Sequence, residues 1–144
     1  MKLFAAGAIV EALVRMNDLY GIEFRERAFR FTGDIFDYCE ELTAQPGMRR
    51  RVAYQLFDAV SSIGANLEEA KAAYSDRDFA SKNSISLKEA RESKYWLRVA
   101  NAKSLGNKQL RERLLREADE WVAMLTTGMK KLHGVTPTRK ATSC

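Results

Sequence analysis

A chain of 144 residues is long enough for one domain with a substantial core, and 46% hydrophobic against 30% charged residues excludes a disordered segment. The net charge of +5 is unevenly spread, with five basic and eight acidic groups in residues 1–47 but nineteen basic and eleven acidic in residues 48–144. That basic portion admits an acidic partner such as nucleic acid, but it serves solubility equally well. Two cysteines, Cys39 and Cys144, cannot frame a disulfide-stapled secreted fold, and a reducing, cytoplasmic setting suits them.

Residues 1–22 read as an N-terminal extension. The apolar run Leu3 to Val10 behind Lys2 is at the lower limit for a signal-peptide core, and Glu11 and Arg15 follow at once, so a short amphipathic helix is the better reading. Met16 is an alternative start, because the strong periodicity begins only after it. Nothing approaches the roughly 18 apolar residues of a membrane span, and no membrane partner is expected.

The first strong helical segment runs from Glu23 to Thr43. Phe24, Ala28, Phe31, Ile35, Tyr38 and Leu42 fall at alternating spacings of 4 and 3, the seam of a helix packed along its length, and Phe29, Phe36 and Cys39 widen it towards a second neighbour. Gln45-Pro46-Gly47 ends it. The second segment, Met48 to Tyr74, continues the pattern through Val52, Leu56, Val60, Ile63, Leu67, Ala70 and Tyr74. Gly64 lies inside it among small residues, at a cost of about 1 kcal/mol relative to alanine, which suggests a close helix-helix approach.

Ser75-Asp76 offers an N-cap for a third segment, from Asp76 to Leu105. Its stripe of Phe79, Ile85, Leu87, Ala90, Leu97, Val99 and Ala100 is weaker, and Asn83, Ser86 and Ser93 intrude at stripe spacing. Gly106-Asn107 closes it. The fourth segment, Lys108 to Leu132, carries Leu110, Leu114, Ala118, Trp121, Leu125, Met129 and Leu132, and residues 134–144 read as a flexible tail. Four long segments with short connections, spanning 23–133, predict an all-α, antiparallel, up-down-up-down four-helix bundle.

Chemistry is sparse in this pattern. A bundle di-iron site needs glutamates and Glu-x-x-His pairs on facing helices, but His133 is the single histidine and ends the last segment, so no metal and no cofactor are expected. Cys39 has no histidine nearby in the chain, and neither a serine elbow nor a phosphate-cradling glycine loop occurs, so the chain is not expected to be an enzyme. Ser62, Asn66 and Glu69 lie along one side of the second segment, and Glu89 and Glu92 on the third. Each set is either a solvated face or a semi-buried polar network or interface, and the place of Asn66 and Glu69 on the shoulder of the core stripe favours the network there. Candidate nucleic-acid contacts are Arg49, Arg50 and Arg51 at the start of the second segment and the stripe Lys88, Arg91, Lys94 and Arg98 on the third, with Arg111, Arg113 and Arg116 adding charge to the fourth.

The stretch Ser61-Ser62-Ile63-Gly64-Ala65-Asn66-Leu67-Glu68-Glu69-Ala70 resembles the S-I-x-A-N-x-x-E-A block of bacterial four-helix bundle proteins related to the 23S rRNA intervening-sequence protein. Asp78-Phe79, Ser84 to Glu92 and Tyr95-Trp96-Leu97 are similar to that family's next block, and the resemblance spans residues 24–132. It implies a ring-shaped homopentamer. One branch, the accessory variability determinant of diversity-generating retroelements, implies binding of a reverse transcriptase and nucleic acid through a basic surface, although the blocks here look closer to the general bundle proteins. The expected role is therefore a non-enzymatic oligomeric adaptor for RNA or DNA with a protein partner; the alternative is a protein-only scaffold without nucleic-acid affinity.

Overall fold

The computed structural model describes the backbone of residues 2–135 and the side chains of residues 21–134. Four helices make up the chain: α1 (Lys2–Thr43), α2 (Met48–Lys71), α3 (Asp76–Ala102) and α4 (Lys108–Val135). No strand occurs among the described residues. The backbone of α1 runs unbroken for 42 residues, so the extension and the first bundle segment are one helix. At 1.5 Å per residue it measures about 63 Å, against about 36 Å for the 24 residues of α2. The expectations for the side chains of residues 1–20 and for the tail beyond 135, Cys144 included, lie outside the described residues.

Local chemistry explains the helix ends. Gly47 adopts φ 109° at the start of α2, a conformation that favours glycine. The Arg50 Nε donates to the carbonyls of Thr43 (3.0 Å) and Gln45 (3.1 Å), closing the end of α1. Ser75 accepts from the Asp78 amide at 3.1 Å, as its sequence context predicts, and Asp76 and Asp78 face the positive end of α3. α3 stops at Ala102, short of the expected Leu105. Ser104 (φ 52°) and Gly106 (φ 64°) turn the chain, and Asn107 Oδ1 accepts from the Leu110 amide at 2.9 Å to start α4.

Seams from all four helices meet in one core. Ile35 and Tyr38 of α1, Leu56 and Val60 of α2, Leu97 of α3 and Leu114 and Trp121 of α4 are fully buried within it. Three expectations about the core are corrected. Tyr74 is fully exposed because α2 ends at Lys71, before the stripe would reach it. Ile85 is exposed, because the true seam of α3 is Ser86, Ala90, Ser93, Leu97 and Ala100, one position further on. The serines tolerate burial because their hydroxyls are satisfied, Ser86 donating to Ile63 O across to α2 (3.1 Å) and Ser93 to Glu89 O (2.7 Å). Finally, Phe29 and Phe36 do not widen the buried stripe of α1, since they are 76% and 51% exposed; of that group only Cys39 is buried.

Candidate functional site

The expected basic residues do not form one patch. Arg49 donates to Gln45 Oε1 at 2.9 Å and Arg50, though exposed, is committed to the end of α1, while Arg51 is exposed; none of the three joins an ion pair among the described residues. On α3 the helical repeat turns Lys88, Arg91 and Arg98 outward, away from the seam, and all three are exposed. Lys94 is different, because its Nζ pairs with Asp119 of α4 at 2.6 Å. Arg77, which lies three helical turns before Lys88 on the same face, is also exposed. Sequence reasoning passed over it, although the spacing of eleven residues was the available signal. None of Arg77, Lys88, Arg91 and Arg98 joins an ion pair among the described residues. Tyr95, 56% exposed, stands between Arg91 and Arg98 with its ring edge-on to Trp96 at 5.2 Å.

The expected polar network is not continuous. Ser62 donates to Asp58 O (2.7 Å) and Asn66 to Ser62 O (2.8 Å), each reaching one turn back on its own helix. Glu69 crosses to α3, where it pairs with Lys82 at 2.5 Å and raises the lysine's pKa. Trp96 Nε1 points at Glu92 within α3, at a long 3.4 Å. Partial burial raises the pKa of Glu89, with smaller contributions from Glu92 and from Asp58 of α2, while Lys88 opposes the shift. The stronger interhelix ties were not anticipated. Arg27 of α1 bonds both carboxylate oxygens of Glu117 (2.8 and 2.9 Å) and also Glu120, and its guanidinium lies 5.6 Å from the Trp121 ring. The hydrogen bond to Glu117 is the main cause of Arg27's raised pKa. Arg113 pairs with Asp34 of α1 at 2.9 Å. Nothing in their spacing along the chain marks these partners.

The nucleophile and metal candidates have plain surroundings. The Cys39 thiol donates to Ala53 O at 3.3 Å, and burial pushes its pKa up to about 12, which leaves no thiolate at neutral pH. His133 lies in the last turn of α4. Among the described residues no three His, Cys, Asp or Glu side chains gather to hold a metal ion, and no helix is long and apolar enough to cross a membrane.

A different surface lies on α1. Ile22, Phe29 and Phe36 recur every seven residues, so they follow one side of the helix, and they are 57%, 76% and 51% exposed. Phe36 packs edge-on against Phe57 of α2 with ring centroids 6.1 Å apart, and Tyr54 of α2 is also exposed. An aligned apolar strip of this kind is characteristic of surfaces that meet another protein.

Known proteins share this architecture. A protein of unknown function from the S23 ribosomal protein family of Bacteroides thetaiotaomicron, whose structure has been solved, superposes with a TM-score of 0.67 at 27% identity, covering 74% of this chain and 98% of its own. None of the curated proteins compared with the chain matches it. The 23S rRNA-intervening sequence protein family matches residues 21–127, most of the chain and nearly all of the bundle, and the chain belongs to that family.

Proposed function

We propose that the chain is a non-enzymatic, cytoplasmic adaptor that binds the phosphate backbone of RNA or DNA along the outer face of α3. In this reading its bundle is antiparallel and up-down-up-down, and copies join through α1 into a ring-shaped homo-oligomer. The observation that carries the nucleic-acid reading is the charge on α3. Arg77, Lys88, Arg91 and Arg98 share an exposed face and are not spent on carboxylates, with Tyr95 among them to stack on a base. The interval from Lys88 to Arg98 rises about 15 Å, enough to meet several successive phosphates. Arg27 meeting Glu117 while Asp34 meets Arg113, an opposite order on α1 and α4, supports the antiparallel arrangement, and the apolar strip Ile22-Phe29-Phe36 supports the assembly.

Fluorescence anisotropy with a mixed-sequence RNA hairpin and a DNA duplex, titrated across salt concentration, tests the reading. Affinity is expected to fall steeply with salt. Replacing Lys88, Arg91 or Arg98 by alanine should flatten the log-log slope by close to one unit each, while Lys94→Ala, whose charge Asp119 already neutralises, changes it less. No binding at low salt, or binding indifferent to these three residues, would leave the protein-only scaffold, with the α1 strip as its contact surface.

A further inference from the structure

A cavity that has no part in either face lies among the helices. It lies at the end of the bundle that holds Gly21 of α1 and Lys71 of α2, has a volume of about 630 Å³ and takes walls from all four helices. That size lies within the roughly 300–1,000 Å³ of small-molecule sites. Phe24, Leu67, Phe79, Met124 and Met129 make its floor and sides apolar. Its neutral polar side chains offer little to an occupant. Asn83 Nδ2 donates to Phe79 O (2.8 Å) and Thr127 Oγ1 to Ala123 O (3.0 Å), each spent on its own helix. A peptide or a nucleobase would bring more hydrogen-bonding groups than these two side chains, each already giving one bond to its own helix, can match, whereas an aliphatic chain needs none.

Charge at the cavity is one-sided. Arg25, Lys71 and Lys131 line it, and among the described residues no acidic side chain does. Arg25 is offset by Glu68 at 3.7 Å, but Lys71 and Lys131 join no ion pair among the described residues. An apolar cleft with unspent ammonium groups on its wall complements a molecule with a hydrocarbon tail and a single anionic head. We infer that the cavity binds a free long-chain fatty acid, with its tail among Phe24, Phe79 and the methionines and its carboxylate on Lys71 and Lys131.

Gly128 supplies a selective test. It lines the cavity, and a Cβ built there meets nothing within 4 Å, so Gly128→Leu can enter the space from an unstrained position on α4. Calorimetry of the full chain with dodecanoate below its micelle concentration, and with dodecanol in parallel, should show one dodecanoate per chain. The alcohol is expected to bind about fivefold more weakly, the equivalent of an exposed ion pair at the upper end of its usual strength. Gly128→Leu should abolish the heat of binding while leaving thermal unfolding unimpaired. The Lys71→Gln/Lys131→Gln variant should lose the preference for the acid over the alcohol and keep the weaker binding of both. Failure of the wild-type chain to bind dodecanoate, equal affinity for acid and alcohol, or binding that persists in Gly128→Leu would each overturn the assignment. None of these readouts depends on the charges of α3, so this test and that of nucleic-acid binding succeed or fail separately.

Discussion

Arg111 occupies a core position of α4, in series with Leu114, Ala118 and Trp121, and is only 4% exposed. Among the described residues no carboxylate meets it. Its Nε donates to Asn101 Oδ1 (2.9 Å), and its Nη1 donates to the carbonyls of Leu105 (2.7 Å) and Gly106 (3.2 Å). The guanidinium thus fastens the turn between α3 and α4 from inside, close to the negative end of α3. Arg111→Met keeps the bulk and removes the donors. Asn101 is exposed and can turn to water, and Leu105 O still accepts from Tyr38 OH at 2.8 Å, so the main loss is at Gly106 O and in the charged bond to Leu105 O. Hydrogen bonds to charged groups contribute about 1.5–3 kcal/mol each, and relief from burying a cation offsets part of that. A net loss of about 2–3 kcal/mol is expected, read as a lower urea midpoint at unchanged m-value and fixed protein concentration. Tyr38→Phe alone should cost about 1 kcal/mol, since Arg111 still holds Leu105 O. Together the two substitutions leave that carbonyl with neither partner, so the double variant should lose more than the sum of the singles. If Arg111→Met proved neutral or stabilising, or the two substitutions were strictly additive, the turn would not be held in this way.

Gly106→Ala should destabilise strongly, by about 2 kcal/mol or more, because φ is +64° and the new Cβ would fall 2.8 Å from the Tyr38 ring; thermal unfolding with Gly106→Asn as a comparison reads it. Gly64→Ala should have the opposite sign. A Cβ there meets Ala28 Cβ at an ordinary 3.5 Å, so a gain of about 0.5–1 kcal/mol from helix propensity is expected, and a loss would mean that α1 and α2 approach more closely than this. Cys39 and Tyr38 predict alkaline instability. Burial raises both, from 9.0 to about 12 and from 10.0 to about 12. The folded state then keeps protons that the unfolded chain releases, so their contribution is complete below pH 9 and fades as pH rises towards 12, at up to about 1.4 kcal/mol per pH unit for each group once above its unfolded value. Urea midpoints measured from pH 8 to 11 should fall, and less steeply in Cys39→Ala compared with its own value at pH 8.

What could be read from the chain differs between helices for physical reasons. The seams of α1 and α4 announce themselves because large apolar residues hold nearly every contact position, from Phe31 to Leu42 and from Leu114 to Leu125. The α3 seam hides behind Ser86 and Ser93, whose hydroxyls count as polar in a pattern but are satisfied by carbonyls, that of Ser86 across on α2 and that of Ser93 one turn back on α3. Arg111 is the same case on α4. The outward direction of Lys88, Arg91 and Arg98 followed from helical spacing, whereas the neutralisation of Lys94 depends on Asp119 of another helix and the commitment of Arg50 on how the chain turns at Pro46. Spacing within a helix reveals which residues share a face; which charges remain free is decided by the neighbouring helix.

The apolar strip on α1 allows folding and assembly to be separated. Phe29 is 76% exposed, so Phe29→Ser removes about a quarter of a buried aromatic side chain from the bundle itself, worth about 1 kcal/mol. Phe36 is half covered and pairs with Phe57, so Phe36→Ser should cost the isolated bundle about 3 kcal/mol. If the strip faces only water, Phe29→Ser changes neither the mass measured by light scattering nor the dependence of unfolding on protein concentration. If copies meet along it, Phe29→Ser lowers the mass although it barely touches the core, and the midpoint of unfolding drops most at low concentration, because dissociation then precedes unfolding. An unchanged mass in both Phe29→Ser and Ile22→Ser would remove this strip of α1 as the assembly surface, because no other exposed residues of α1 among those described repeat an apolar side chain in line.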